Sequence, residues 1–523
     1  MTQTRRAERT SEPVAAFRSI LFGEHEPDLE AACEPGFFSD LNLDQVVEAV
    51  LSGRDRYELR PFFYLPLRDA DAVEYRHEVF RELERGEVWA AVEGFAAEVR
   101  RVRRRLGLVE EQHYRYEQQR WLLDAAVAYC DAVAGLAEAL AGLELESRGF
   151  RGLSGYLEAY TGSQRFRSLD EEARRVFAGL DGVRYSLRIK GGRVTVTAYE
   201  GEPDYSVEVE ETFARFRQGD VEDHLVKIRD PGSMDHVEAQ IVRLVARLFP
   251  REFRALDAFA GRHRHFLDPV VTRFDREVQL CLAYLEHAGR VEAAGARFGY
   301  PEVSTGSKET AVEGGCDLAL ATKLAVEGGR VVRNGFALSG AERTLVVTGP
   351  NQGGKTTFAR MFGQLHYLAG LGVPVPAERA RLFLPDRVYT HFEREEDVTT
   401  LRGKLDDELV RVREILEQAT EAGVIVLNDV FSATTLEDAV FLGREVLGRI
   451  AELGCLAVCV TFIDELASLG EATASMVAGV DPADPSRRTF EIVRRPADGR
   501  AYAAALASKY GLSYEQLKER LGR

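Results

Sequence analysis

The sequence predicts a multidomain protein in which a mainly α-helical region, interrupted by a small β insertion, precedes an α/β domain with a glycine-rich loop. Its 523 residues exceed the usual length of one compact domain. Apolar residues recur at steps of three and four as far as about residue 180, which is typical of helices. From about residue 301 onward, strand patterns alternate with helix patterns, which is typical of an α/β domain.

Three segments follow from this pattern. Residues 1–35 are polar and contain three prolines, so we expect a loosely ordered lead-in. Residues 36–300 form the predicted helical domain, and residues 301–523 form the predicted α/β domain.

The β insertion is predicted at about residues 184–213, where the apolar period changes from helical spacing to two. Gly191-Gly192 supplies a tight turn between two strands. A third strand is expected at Tyr205, Val207 and Val209.

The acidic composition limits the contacts that the protein can make with nucleic acid. Asp and Glu outnumber Lys and Arg by 85 to 68, for a formal charge of -17, which argues against adhesion over the whole surface. Contact with DNA therefore needs a local patch, and the candidate is R-R-V-R-R-R at residues 100–105. The apolar residues of its predicted helix are Val88, Val92, Phe95, Val99, Val102 and Leu106. The alternative interpretation of the patch is an ordinary solvated helix face.

The six cysteines form no C-x-x-C pair, and Cys455 and Cys459 lie in an apolar run. We interpret all six as reduced core residues of a cytoplasmic protein. The sequence has no run of about 18 apolar residues and no hydrophobic signal core at its N-terminus, so we expect no membrane contact.

The strongest chemical signal is T-G-P-N-Q-G-G-K-T-T at residues 348–357. Its glycines let backbone N–H groups surround a phosphate, Lys355 can reach the β and γ oxygens of ATP, and the Thr356 hydroxyl can bind Mg²⁺. An apolar strand precedes the loop and a helix from Thr357 to Leu368 follows it, which favours a phosphate site over a ligand-free glycine turn. The predicted ATP-binding residues are Gly349, Pro350, Asn351, Gln352, Gly353, Gly354, Lys355, Thr356 and Thr357.

The catalytic acids are expected at the end of a neighbouring strand, and the apolar run Val424 to Leu427 fits that strand. P-loop ATPases usually carry Asp and then Glu there, to orient Mg²⁺ and to polarise the attacking water. This chain has Asn428 and Asp429, which we predict as the catalytic pair, with Asp429 and Thr356 as the metal-binding residues. Asn428 contributes no charge and Asp429 is one methylene shorter than Glu, so we expect ATP binding with slow hydrolysis.

These residues resemble the MutS family of DNA mismatch-repair ATPases, whose nucleotide site belongs to the ABC class. The Pro-Asn that follows the first glycine of the loop is much more specific to this family than the general loop is. Similar segments follow at V-P-V-P-A-E-R-A (373–380), P-D-R-V-Y-T (385–390), N-D-V-F-S-A-T-T-L-E-D-A (428–439), V-T-F-I-D-E-L (460–466) and A-S-K-Y-G-L-S-Y-E-Q-L-K-E-R-L (507–521). The resemblance is strong over about 300–523 and weaker over about 36–300.

The resemblance implies a homodimer with two composite ATP sites, helical levers that reach toward DNA, and a β-rich clamp at the insertion. It also implies repair or recombination proteins as partners. Gly403, after T-T-L-R, would meet the γ-phosphate bound by the opposite subunit. The alternative is that the acidic run Asp406-Asp407-Glu408 only favours a helix N-terminus.

The sequence departs from the family in several places. Neither the mismatch-reading N-terminal domain nor the Smr nuclease domain is recognisable in it. The family's His in A-T-H is Phe462 here, which removes a polar contact to phosphate or water. The adenine-stacking aromatic falls near Val331, and Arg333 is the expected substitute.

Other interpretations stay open on the sequence alone. The cluster of His391, Glu393, Glu395 and Glu396 fits no standard metal spacing, and a polar loop near the nucleotide is the favoured interpretation. The whole protein is interpreted as a DNA-linked ATPase. The alternatives are an ATP-gated protein scaffold and a nucleotide-binding pseudoenzyme.

Overall fold

The computed structural model describes residues 17–24, 28–202, 212, 234–393, 403–481, 483–484, 487–497 and 518. The chain divides into two compact units. We call the part formed by Gly86–Leu145 and Gly152–Asp275 the helical unit, and the part formed by Ala15–Arg85, Glu146–Arg151 and Arg276–Arg523 the sheet unit. The domain limits expected at residues 35 and 300 remain predictions, because a compact unit is not by itself a family domain.

Thirteen α-helices lie within the described residues. They are α1 (Leu43–Leu51), α2 (Ala70–Leu83), α3 (Gly86–Glu111), α4 (Arg115–Ala141), α5 (Arg148–Thr161), α6 (Gln164–Asp181), α7 (His236–Leu248), α8 (Pro250–Arg262), α9 (Pro269–Glu292), α10 (Leu318–Glu327), α11 (Lys355–Gly370), α12 (Lys404–Gln418) and α13 (Leu436–Leu453). None of these helices is both long enough and apolar enough to cross a membrane.

Twelve strands are found in the same described residues. They are β1 (Tyr185–Lys190), β2 (Arg193–Ala198), β3 (Glu302–Ser304), β4 (Thr310–Gly315), β5 (Asn334–Leu338), β6 (Thr344–Thr348), β7 (Arg379–Phe383), β8 (Val388–His391), β9 (Val424–Asn428), β10 (Leu456–Val460), β11 (Thr473–Val480) and β12 (Arg488–Arg494). The alternation of strands and helices predicted from about residue 301 is confirmed.

The helical unit confirms the predicted periodicity. The apolar stripe of α3 packs along α4, and five of its six predicted members are buried, whereas Leu106 is half-buried. Strands β1 and β2 form an antiparallel hairpin in which Leu187 pairs with Val196 across the Gly191-Gly192 turn, as predicted. The third strand expected at Tyr205, Val207 and Val209 lies outside the described residues.

The arginine patch at residues 100–105 is partly used inside the helical unit. The Arg103 Nε donates to the buried Asp275 carboxylate at 2.8 Å, and the Arg105 Nη1 donates to the Asp124 carbonyl at 2.9 Å. Arg101 forms an ion pair with Glu98 on the same helix. The patch therefore offers less free positive charge than the sequence suggests.

The main sheet of the sheet unit places the functional loops at one edge. Its six strands run in the order β12-β11-β6-β10-β9-β8, and all neighbouring pairs are parallel except β11 with β12. The carboxyl ends of β6, β9 and β10 therefore lie at the same edge, where α/β sheets bind their ligands. The expectation that β9 is the direct neighbour of β6 is wrong, because β10 lies between them and pairs with both.

The lead-in is not loose throughout, contrary to the expectation for residues 1–35. Ile20 and Leu21 are fully buried in the sheet unit. The Glu277 carboxylate accepts hydrogen bonds from the Ser19 hydroxyl at 2.8 Å and from the Ile20 N–H at 2.9 Å. A buried carboxylate with several donors is well satisfied, so this short segment is anchored by polar as well as apolar contacts.

The cysteines follow the prediction with one exception. Five of the six are buried and none of the six is in a disulfide, but Cys33 is exposed. The interpretation of Cys33 as a core residue is therefore wrong, because the polar segment around it does not enter the core.

Candidate nucleotide-binding site

The glycine-rich loop connects the buried strand β6 to helix α11. The helix begins at Lys355, two residues before the predicted start at Thr357. Gly349 has φ +115°, and a Cβ there would lie 3.0 Å from the Ala478 backbone nitrogen, so only glycine fits between the loop and β11. Gly354, with φ +90°, turns the chain into the helix.

A cavity of about 670 Å³ opens at this loop, within the range of small-molecule and cofactor sites. Its lining residues are Leu320, Leu324, Arg330, Val332, Asn334, Asn351, Gln352, Gly353, Gly354, Lys355, Thr356, Thr357, Asp429 and Phe490. Seven of the nine loop residues predicted to bind ATP are in this set. Gly349 and Pro350 are not in this set, but their carbonyls accept hydrogen bonds from Lys355, which belongs to it.

Lys355 is the positive centre of the cavity. Its side chain is largely buried, and its Nζ lies 2.9 Å from the Gly349 carbonyl and 3.2 Å from the Pro350 carbonyl. Burial lowers the pKa of Lys355, whereas the Asp429 and Asp464 carboxylates raise it. An ammonium group held inside a cavity by backbone dipoles suits an anionic ligand such as a phosphate.

Asp429 faces Lys355 across the cavity from the end of β9. Its N–H donates to the Val460 carbonyl at 3.0 Å, and its φ is +53°. Burial raises the pKa of Asp429, the Lys355 ammonium lowers it, and Glu393 raises it. The left-handed conformation is easier for Asp than for Glu, which gives a backbone reason for the shorter acid at this position.

Asn428 lies beside Asp429 in the chain and is buried, whereas Asp429 is half-buried. Its Nδ2 is 3.4 Å from Oδ2 of Asp429, and within the described part of the chain its Oδ1 has no hydrogen-bond partner. A buried acceptor of this kind suits a donor that arrives with the ligand, such as a metal-bound water. The donor set therefore fits Mg²⁺, with Thr356 and Asp429 at the same cavity and Asn428 behind them.

The cavity is also lined by an aromatic side chain that the sequence did not reveal. Phe490 lines the cavity from β12, and a Cβ at Gly354 would lie 3.7 Å from its ring. The Asn334 side chain holds the backbone of β12 next to this ring, donating to the Phe490 carbonyl at 3.1 Å and accepting from the Ile492 N–H at 2.7 Å. Phe490 is therefore placed to stack on a nucleobase.

Arg333, the expected stacking residue, does not fill this role. It forms an ion pair with Glu378, and its neighbours Arg330 and Val332 line the cavity instead. The sequence around Phe490, R-R-T-F-E-I-V, contains no signal of a ligand site, because the ring reaches the loop only through the pairing of β12 with β11.

Replacing Phe490 by alanine should weaken ATP binding roughly tenfold, because stacking of a base on an aromatic ring contributes about 1–3 kcal/mol. Binding of tripolyphosphate, which has no base, should change little. Both affinities can be measured by competition against a fluorescent ATP analogue. Phe441→Ala, at an exposed aromatic on α13, is the matched control, and an equal loss for ATP and tripolyphosphate would contradict the stacking role.

The structure separates the remaining candidates from the cavity lining. Gly403 is exposed at the N-terminus of α12 and lies outside the set that lines the cavity. Phe462, just after β10, is 48% exposed and brings no polar side-chain atom to the edge of the sheet. Asp464, which sequence reasoning missed, is close enough to Lys355 to raise its pKa.

The structure also places the two acidic clusters that the sequence singled out. Within the run Asp406-Asp407-Glu408, Glu408 is 1% exposed whereas Asp406 is exposed at the start of α12. Within the described residues, no group of three or more His, Cys, Asp or Glu side chains could hold a metal, and Glu393 forms an ion pair with Lys404. Glu395 and Glu396 lie outside the described residues.

Comparison with known proteins agrees with this geometry. Residues 345–505, which contain the loop, β9 and most of the cavity wall, match the family MutS domain V. The chain is 33% identical over 192 residues to "Endonuclease MutS2" of Thermus thermophilus, an alignment covering 36% of this chain and 25% of that protein. It is 29% identical over 325 residues to "DNA mismatch repair protein MutS" of Azorhizobium caulinodans, covering 58% of this chain and 34% of that protein.

A third relative is "DNA mismatch repair protein MutS" of Psychrobacter cryohalolentis, 32% identical over 130 residues, which covers 25% of this chain and 12% of that protein. The chain thus spans about a third or less of the length of these three relatives.

Proposed function

The chain belongs to the MutS family through its domain V, and from this premise we propose that it is an ATP-gated, DNA-binding ATPase with slow turnover. The observation that carries the proposal is the cavity that joins Lys355, Thr356 and Asp429 to the Phe490 ring. This one cavity offers a cation for phosphates, a hydroxyl and a carboxylate for Mg²⁺, and an aromatic surface for a base. The three groups together match ATP better than they match a simple anion.

Different residues of the chain would bind the phosphates and the Mg²⁺ ion. Backbone N–H groups of the loop and the N-terminus of α11 receive the phosphates, and Lys355 neutralises charge on the β and γ oxygens. The Thr356 hydroxyl and the Asp429 carboxylate would hold Mg²⁺, with Asn428 as an acceptor behind them. The ion, when bound with ATP, neutralises phosphate charge and fixes the phosphates in line for displacement.

Slow hydrolysis follows from the two residues at the end of β9, where Asn428 and Asp429 stand in place of the usual Asp and Glu. Asp429 is the one carboxylate of the Asn428-Asp429 pair, so it would serve both the metal and the attacking water. Phe462 adds no polar group at the end of β10, which removes another contact that could orient the water. We therefore propose Asp429 as the residual catalytic acid and Asn428 as its uncharged partner.

The gating part of the proposal concerns two copies of the chain. A homodimer in which Gly403 and the start of α12 approach the nucleotide of the second copy would make ATP occupancy depend on dimer engagement. ATP then shifts the state of a DNA clamp only by its difference in affinity for the two states, and a tenfold difference corresponds to about 1.4 kcal/mol. Partners in repair or recombination would read this state.

Fluorescence anisotropy tests the proposal directly. Labelled homoduplex, mismatched and branched DNA are titrated with the protein at fixed salt, without nucleotide and with ATP and Mg²⁺. We expect the affinity for at least one DNA to change about tenfold or more with ATP, the smallest shift worth 1.4 kcal/mol. Lys355→Ala should bind the same DNA without responding to ATP. Absence of binding to all three DNAs at micromolar protein would overturn the DNA-binding function.

A second function, an ATP-gated protein scaffold, is favoured by two observations. Three of the arginines at residues 100–105 are engaged with groups of the helical unit, and the overall charge is -17. If no DNA binds while ATP does, the scaffold replaces the clamp as the function to be tested.

A further inference from the structure

A buried carboxylate connects α12 to the loop that carries Asp429. Glu408 lies in the first turns of α12, and its Oε2 accepts a hydrogen bond from the Phe431 N–H at 3.0 Å. Glu408 is 1% exposed and Phe431 is fully buried. The bond is therefore shielded from water, where a missing acceptor would cost about 1–3 kcal/mol.

The backbone that receives this bond is bent in an unusual way. Asp429 has φ +53° and Phe431 has φ +60°, although neither residue is glycine. Such conformations each cost about 1–3 kcal/mol and persist only where surrounding contacts hold them. The Asp429 N–H is held by Val460 of β10 and the Phe431 N–H by Glu408, so a strand and a helix share the task.

The charges around Glu408 explain how a carboxylate is tolerated there. Lys404 and Arg411 lie four residues before and three residues after it on α12, which places them on the same helix face. Lys404 also pairs with Glu393, and Arg411 pairs with Asp407 at 3.3 Å. Phe431 itself is part of the apolar cluster that contains Val412 of α12. Helix and loop are thus joined by this hydrogen bond and contribute to the same apolar cluster.

We propose that Glu408 is a positioning residue that fixes the Asp429 carboxylate in the nucleotide cavity and ties it to the N-terminus of α12. The proposal rests on the proposed nucleotide site and deepens it. A displacement at the start of α12 moves the acceptor of the Phe431 N–H, and this changes where Asp429 points. Engagement of α12 by a second copy of the chain would thereby control hydrolysis without touching the loop at residues 348–357.

Three substitutions vary the acceptor at position 408. Glu408→Gln keeps an acceptor oxygen of the same reach, Glu408→Asp withdraws it by one methylene, and Glu408→Ala removes it. Glu414→Ala, at an exposed position of the same helix, is the matched control. Circular dichroism and thermal melting establish that each variant folds, and Glu408→Asp carries the test if the alanine variant does not.

The first measurement does not need a nucleotide. Hydrogen exchange of the peptide that contains Phe431 should be about tenfold faster or more in Glu408→Ala, because opening of a local segment sets its exchange rate. Exchange in Glu408→Gln and in Glu414→Ala should match the unmodified protein. Unchanged exchange in the alanine variant would overturn the positional link, whatever the protein does with ATP.

The second measurement is the gain in affinity for a fluorescent ATP analogue when Mg²⁺ replaces EDTA. Glu408→Ala should lose most of this gain while its Mg²⁺-free affinity stays within about twofold, and turnover should fall roughly 10- to 100-fold, as misplacement of a catalytic group by about 1 Å does. Glu408→Gln should keep both. An equal loss in the Gln and Ala variants would assign the effect to the charge of Glu408 and would overturn a role for its bond to the Phe431 N–H.

Different results would overturn the proposed nucleotide-binding function and the positioning role of Glu408. If the unmodified protein binds no nucleotide, the proposed function fails and hydrogen exchange still decides the role of Glu408. If it binds ATP without turnover, the Mg²⁺-dependent gain decides that role.

Discussion

Replacing Lys355 by alanine should weaken ATP binding roughly a hundredfold, since hydrogen bonds to charged groups contribute about 1.5–3 kcal/mol each and a lysine at this position can reach two phosphates. Lys355 is largely buried in the cavity and is surrounded by acceptors at 2.9–3.5 Å. The alanine variant keeps every glycine of the loop but loses the ammonium charge and its bonds to the Gly349 and Pro350 carbonyls. Titration of a fluorescent ATP analogue measures the loss.

The control is Lys323→Ala on α10. Lys323 is exposed and forms a 3.9 Å ion pair with Glu327. Its replacement by alanine removes the same charge from the sheet unit without altering the cavity lining. Thermal melting should show both variants folded. Equal ATP affinity in Lys355→Ala and Lys323→Ala would contradict the assignment of the phosphate site.

Replacing Asn428 by aspartate should raise ATP turnover by at least about tenfold, because a positioned acid or base contributes typically 10²- to 10⁴-fold. The change restores the first acid of the usual pair at a site that is 7% exposed and within reach of Asp429. Steady-state phosphate release at saturating ATP and Mg²⁺ measures the effect. Adding Asp429→Glu to this variant should raise ATP turnover by less than a restored Glu would otherwise give, because Glu is disfavoured at φ +53°.

Asn42→Asp is the matched control for this gain. Asn42 also has a left-handed backbone, with φ +54°, but it lies at the start of α1 and is not among the residues that line the cavity. Turnover near 10 s⁻¹ in the unmodified protein, about the median for enzymes, would contradict slow hydrolysis. Unchanged turnover in Asn428→Asp would show that the uncharged side chain at 428 is not the limiting feature.

The phosphate end of the site could be predicted because its residues are contiguous. The loop at 348–357 combines strand, glycines and helix start in one short stretch, so local physical chemistry decides its shape. Seven of its nine predicted ligand-binding residues line the cavity. Asp429 was predictable for a similar reason, since the buried strand β9 leads directly into it.

The base end and the supporting contacts could not be predicted in this way. Phe490 reaches Gly354 because β12 pairs with β11 and Asn334 holds it there. Arg333 was expected to stack on the base but pairs with Glu378, a partner that the strand pairing of the sheet unit brings close. Nothing near Glu408 in the sequence indicates that its carboxylate binds the Phe431 N–H.

The sequence by itself determined the helical and α/β regions, the resemblance to the MutS family, the glycine-rich loop and the Asn428-Asp429 pair, because periodicity and short motifs act over neighbouring residues. Only the tertiary structure decided that β10 lies between β6 and β9, that Phe490 lines the cavity, and that Glu408 accepts a hydrogen bond from the Phe431 N–H. These contacts join residues far apart in the chain. They depend on strand order and on which buried polar groups find partners, and no local pattern specifies either.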